Sequence, residues 1–98
     1  MIKYKKVYLE ALGFDECDFI PCEISGLLGV DLHHIIGRGK KGEDRVENLM
    51  CLTREYHIKY GDKKKYMVYL LVTHRHYLYT KGVQFDNDWF EEKINFYE

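Results

Sequence analysis

At 98 residues, with one proline and a formal net charge of −1, the chain has the length of a single small domain and too little for two independent cores. Its 46% hydrophobic and 15% aromatic content, nine tyrosines included, supplies enough apolar surface to fold and excludes a disordered chain. No uncharged apolar run approaches the roughly 18 residues of a membrane helix, and the opening MIKYKKVYLEALGFDE lacks the apolar stretch of a signal peptide. The expectation is a soluble, cytoplasmic protein with no membrane partner.

The elements follow in chain order. Apolar residues at 4, 7, 8, 11 and 12 have a helical period, so a helix is expected over 3–12 with Gly13 ending it. Ile20, Cys22 and Ile24 alternate with polar neighbours as an edge strand would, with Pro21 in it. Gly26 and Gly29 supply a turn, after which Val30, Leu32 and His34 alternate in a second strand, giving a β-hairpin that ends in two adjacent histidines. Residues 37–47, with three glycines and seven charged side chains, read as a surface loop. Leu49 to Leu52 is a short apolar strand, and Thr53 is a good N-cap for a helix that carries His57 and closes at Gly61. Asp62 is the expected cap of a longer helix from Lys63 to about Lys81. Asp86 or Asn87 is the expected cap of a last helix containing Trp89, Phe90, Ile94 and Phe96. The fold class is α+β.

Charge is unevenly spread. Residues 1–37 carry −3, residues 38–81 carry +6 and residues 82–98 carry −4. A basic centre between acidic flanks is the asymmetry a phosphate-binding face needs, although Lys63, Lys64 and Lys65 read equally as a solvated helix face. The three cysteines, Cys17, Cys22 and Cys51, are odd in number and irregular in spacing. A four-ligand zinc site would have to recruit His74 or His76, so buried inert thiols are expected and a structural zinc is not.

Two of the five histidines stand side by side at 33 and 34. Neighbouring side chains on a strand point to opposite faces, so these two cannot do the same job. A metal-dependent hydrolase offers two jobs: one imidazole binds a cation, and the other takes a proton from the attacking water. A side chain of unperturbed pKa about 6.5 suits both. The competing reading is that each is a surface or satisfied core residue. Asn48, where the loop meets the short strand, and His57, in the first turns of the next helix, extend the constellation. Asp31 shares a strand face with His33 and reads as a solvent-facing hairpin residue that could join a metal shell. His74 falls on the apolar stripe of the long helix as a core residue, and His76 on its surface.

Over residues 30–60 the chain resembles the HNH endonucleases, whose core is called ββα-metal or His-Me finger. The resemblance rests on "VDLHHI", Arg38, the glycine-rich loop, "ENLMCLTREYH" and "KYG". The whole chain also looks like the small HNH proteins of bacteriophages and prophages. The resemblance implies a ββα-metal core over about 20–61, an N-terminal helix over 3–12 and further helices over 62–98, all in one nuclease domain. His33 and His57 would be metal ligands, His34 the general base and Asn48 the brace that holds the loop and the base in line. It departs from the pattern in two places: the paired CxxC motifs of many relatives are missing, and Gly61 stands where some relatives carry a further metal-binding histidine.

These matches imply a DNA endonuclease or nickase that uses one divalent ion, Mg²⁺, Mn²⁺, Ni²⁺ or Zn²⁺, and leaves 5′-phosphate and 3′-hydroxyl ends. Imidazole ligands make a strict Mg²⁺ requirement less expected. Arg38 is the candidate phosphate clamp, its planar fork suited to bidentate contact. Lys40, Lys41 and Arg54 are further candidate nucleic-acid contacts, and Arg45 and Arg54 read equally well as solvated. With no appended targeting domain, specificity would be weak, would follow a structure such as a junction, or would come from a homodimer or a partner protein. The alternative function is a catalytically silent nucleic-acid-binding module.

Overall fold

The helical period at the N-terminus becomes α1 (Lys3–Leu12), which ends as expected at Gly13, in the left-handed conformation at φ 75°. The Gly13 N–H bonds back to Glu10 and Leu9, and that of Phe14 to Leu9, so the last carbonyls of α1 are satisfied at a residue that tolerates the conformation. This computed structural model describes residues 2–40 and 42–98. Within them the chain is an α+β fold of four α-helices and a two-stranded antiparallel sheet. No helix among the described residues is long and apolar enough to cross a membrane.

The sheet is not the one expected from the local pattern. β1 (Asp31–His34) pairs with β2 (Leu49–Leu52), in the register Asp31 to Leu52, Leu32 to Cys51, His33 to Met50 and His34 to Leu49. Residues 20–24 form no strand with β1; only the bridge between Pro21 and Leu28 remains of that hairpin. Their backbone groups are used elsewhere. Cys22 N–H donates to the Leu27 carbonyl, Gly26 N–H to that of Cys22 and Glu23 N–H to that of Cys51. The segment thus closes a turn of its own and docks on β2. β1 pairs instead across the glycine-rich loop with the more apolar run.

β2 is buried at all four positions, and the two-residue period explains how. Leu49 and Cys51 face Tyr8 and Leu9 of α1. Met50 and Leu52 face the larger core cluster, with Leu70, Leu71, Leu78, Trp89 and Phe90. β1 follows the same alternation, so His33 lies on the Met50 side and His34 on the α1 side.

α2 (Arg54–Tyr60) is capped as expected by Thr53, whose hydroxyl accepts from Tyr56 N–H at 3.2 Å, a contact worth about 1 kcal/mol. The long helix starts later than expected. Asp62 is in the left-handed region at φ 57° and caps nothing; a single 3₁₀ turn (Lys64–Tyr66) follows, and α3 runs Met67–Thr80. α4 (Asn87–Tyr97) begins at the Asp86 cap, whose carboxylate accepts from Trp89 N–H. The loop is not wholly on the surface: its final 3₁₀ turn (Val46–Asn48) buries Glu47 and Asn48. Glu47 is held between Arg45 and the N–H of Asp86.

Candidate metal centre

The packing of α2 against the sheet brings His57 over His33, with ring centroids 4.7 Å apart and planes tilted by 51°. Asp62, on the turn just past α2, completes a group of three: one ligand atom each from His33, His57 and Asp62 all lie within 4.8 Å of one another. Bonds of about 2.1 Å to one ion put neighbouring ligand atoms roughly 3 to 4 Å apart, so the three need only a small closure to share a cation.

His33 carries the chemically informative atom. The residue is 3% exposed, yet its Nε2 has no hydrogen-bond partner among the described residues. Buried polar atoms are otherwise nearly always satisfied, and leaving one bare costs about 1–3 kcal/mol. Burial, and then repulsion from His57, pull the imidazole down to a pKa of about 4. At neutral pH it is uncharged, as a ligating nitrogen must be.

His57 is oriented by a carboxylate. Its Nδ1 lies 2.9 Å from Asp31 Oδ2, which favours the proton on Nδ1 and leaves Nε2 as the free electron pair. Such carboxylate–imidazole pairs orient metal-binding histidines. Asp31 is itself gripped by Arg54, at 2.6 and 2.9 Å. This guanidinium, and then His57, hold the carboxyl down to a pKa of about 2. Asp31 is therefore not the solvent-facing residue expected. Asp31, Arg54, His57, Ile58, Gly61 and Asp62 line an open depression, onto which two members of the group, His57 and Asp62, open.

Gly61 has no room for a side chain. A Cβ there would come 2.5 Å from the His57 carbonyl oxygen and 2.8 Å from His57 Cδ2, with His33 Cε1 at 3.3 Å. A histidine at this position would push the ring pair apart. The third oxygen or nitrogen donor comes instead from Asp62, one residue on.

His34 lies on the opposite face, as strand alternation requires. Its ring meets the edge of Tyr4 at 4.8 Å, and its Nε2 lies 2.7 Å from Asp44 Oδ1. Arg38 donates to both Asp44 oxygens, at 3.1 and 3.3 Å, and lies over the Tyr4 ring at 4.8 Å. The His34 contact, and then Arg38, hold the Asp44 carboxyl below the usual range.

Asn48 is fully buried and spends its amide on the loop. Its Oδ1 accepts from Ile36 N–H at 2.8 Å, and its Nδ2 donates to the carbonyls of Ile36 and Glu43, both at 3.0 Å. It thereby ties both ends of the turn that follows His34.

The structure thus brings His33 and His57 together, sets His34 on the opposite face of the same strand and ties the loop after it through Asn48. Arg38 and Arg54 are in reach of this region but each is engaged by a carboxylate, Asp44 and Asp31. The side chain of Lys40, and Lys41 as a whole, lie outside the described residues. Asp62, which reads from the sequence only as a helix cap, and Asp44 have no local signature as site residues. Asp31 has one, its place two residues before His33 on the same strand face, although it reads first as a solvent-facing residue.

Away from the centre, His74 is buried as expected but not apolar in its contacts. Its Nδ1 lies 2.6 Å from Glu23 Oε1 and its Nε2 2.7 Å from the Val46 carbonyl, while Tyr8 donates to Glu23 Oε2 at 2.7 Å. Burial opposes a charge on His74, but the Glu23 carboxylate and the Val46 carbonyl outweigh it and raise its pKa. Cys22 and Cys51 are buried free thiols and Cys17 is exposed.

No model of a known protein family matches the chain, and no curated protein or solved structure matches it.

Proposed function

We propose that the chain is a metal-dependent DNA endonuclease or nickase built on an HNH-type ββα-metal core. The observation that carries this reading is the buried His33, whose Nε2 has no partner among the described residues, grouped with His57 and Asp62 so that one ligand atom of each lies within 4.8 Å of the others. His33, His57 and Asp62 would hold one divalent cation, with Asp31 fixing the ring of His57. When bound, the cation supplies charge stabilisation to a phosphodiester under attack. Three protein ligands leave positions open for phosphate oxygen and water, as a catalytic site requires.

His34 is the proton acceptor in this reading. Asp44 beside Nε2 favours the proton on that nitrogen, leaves the Nδ1 lone pair basic and stabilises the imidazolium that forms. Water adds its oxygen to phosphorus, its proton passes to His34, and the bond to the 3′ oxygen breaks. That oxygen takes a proton from a second water as it leaves, giving 5′-phosphate and 3′-hydroxyl ends. Asn48 keeps the loop after His34 in place, and Arg38 can exchange Asp44 for a phosphate oxygen.

One observation favours a catalytically silent nucleic-acid-binding module: the His34 side chain is only 13% exposed and already engaged by Asp44. Incubating supercoiled plasmid with Mg²⁺, Mn²⁺, Ni²⁺ or Zn²⁺ separates the two. A nuclease converts it to nicked circles with at least one of these ions, and His34→Ala loses at least about 100-fold in rate, the contribution of a general base. Binding without nicking under every ion, or undiminished nicking by His34→Ala, contradicts the reading.

A further inference from the structure

Past the candidate centre, the chain builds an aromatic and basic surface that the centre does not use. Tyr60, the last residue of α2, is the hub. Tyr56 stacks on it at 5.7 Å, Tyr66 meets it edge-on at 4.8 Å and Tyr69 of α3 lies 5.3 Å away. Tyr69 is 43% exposed, and the other three are partly exposed. Lys59 lies over the ring of Tyr60 at 5.2 Å and Lys65 over that of Tyr66 at 5.1 Å. Lys64 is exposed beside them. Residues 59–65 hold four lysines against one acid, Asp62, and Asp62 belongs to the candidate centre. Lys63 is set apart, because its ammonium caps α2 through the Ile58 and Lys59 carbonyls, at 2.6 and 2.8 Å.

We infer that this surface is a binding platform for an unpaired nucleic-acid strand that runs on from the candidate centre, an inference that rests on the nuclease reading for the identity of its occupant. Three features select this occupant. Tyrosine faces stack on bases, which are presented face-on only where the strand is unpaired. Lys59 and Lys65, set over the rings of Tyr60 and Tyr66, and Lys64 beside them meet the phosphates between those bases. The hub lies two residues from Asp62, so one strand reaches both places. A symmetric contact with a second copy would set these lysines against their own kind, which like-charge repulsion opposes. The substrate class is then DNA with a single-stranded stretch, such as a flap, a junction arm or a melted site.

The test is fluorescence anisotropy of a labelled single-stranded 12-mer, and of its duplex, in EDTA so that no cleavage takes part. The parent protein should bind the single strand more tightly than the duplex. Tyr69→Ala should weaken that binding by about 10-fold, the loss of one stacked base. The triple variant Lys59→Gln, Lys64→Gln, Lys65→Gln should make the dependence of log K on log salt shallower by about 2. All these positions are surface ones, and unchanged circular dichroism and thermal midpoint establish that the variants fold. The inference is overturned if the parent prefers duplex or binds neither. It is also overturned if the variants bind as the parent does, or if they change only the sedimentation mass, which would make the surface a contact between copies. Strand binding that depends on Tyr69 in a protein that nicks nothing upholds the platform and sinks the nuclease reading. Nicking with variants indistinguishable from the parent does the reverse.

Discussion

The molecule holds two buried histidines in opposite states. His74 uses both ring nitrogens, one on the Glu23 carboxylate and one on the Val46 carbonyl, and neither it nor Glu23 reaches solvent. His33 is almost as deeply buried, yet its Nε2 has no partner among the described residues, and the histidine and carboxylate around it open to the surface. The first is saturated and closed, the second unpartnered and open. A saturated buried imidazole holds a fold together, whereas a bare one beside two further ligand groups is the mark of a site.

The largest effect should come from breaking the closed pair. Glu23→Gln removes the carboxylate from the fully buried Glu23–His74 contact, and loss of one partner of such a pair costs about 3 kcal/mol or more. Urea denaturation should show this fall in midpoint, while His33→Asn, which strands no charge, should cost clearly less. If the two variants lose equal stability, the distinction between a structural and a functional histidine fails.

A smaller effect is expected in the open group. Asp31→Asn removes the carboxylate that orients His57 and frees Arg54, while leaving all three candidate ligands in place. Loss of such an outer partner typically weakens metal binding by about 10- to 100-fold. Mn²⁺ affinity followed by competition with a fluorescent chelator should fall in that range; an unchanged affinity would remove Asp31 from the site.

The smallest effect separates the two histidines by pH. His33, at about 4 when folded, refuses a proton that the unfolded chain accepts near 6.5, so stability declines as pH falls from about 6.5 toward 4. His74 is raised above its unfolded value, so its contribution is complete below about 6.5 and fades as pH climbs through the folded value. Thermal melts across pH should therefore lose the acid limb in His33→Asn and the alkaline limb in Glu23→Gln. Parallel curves for parent and variants would contradict both assignments.

What was legible in the chain was local. The helical period of α1, the Thr53 and Asp86 caps and the alternation that puts His33 and His34 on opposite faces are short-range signals, and the structure carries them. The spacing of Asn48 and His57 pointed to residues that the fold does gather around the strand end. The sheet was misread because residues 20–24 alternate as well as any strand. What decides against them is the Glu23 N–H bonding to Cys51, across 28 positions of chain. The Glu23–His74 pair spans 51 positions, beyond any periodicity. Asp62 read as a cap because Gly-Asp before a helical stretch has that form. Its left-handed backbone, which turns it toward the histidines instead, has no signature in sequence.

Calorimetric titration of Mn²⁺ into the parent, His57→Ala and His34→Ala proteins tests the centre most directly. One ion per chain should bind the parent and His34→Ala alike, and His57→Ala should lose more affinity than the about 10- to 100-fold of an outer partner. No heat of binding in the parent, or a His57→Ala protein that binds as tightly, would contradict a metal centre at His33, His57 and Asp62.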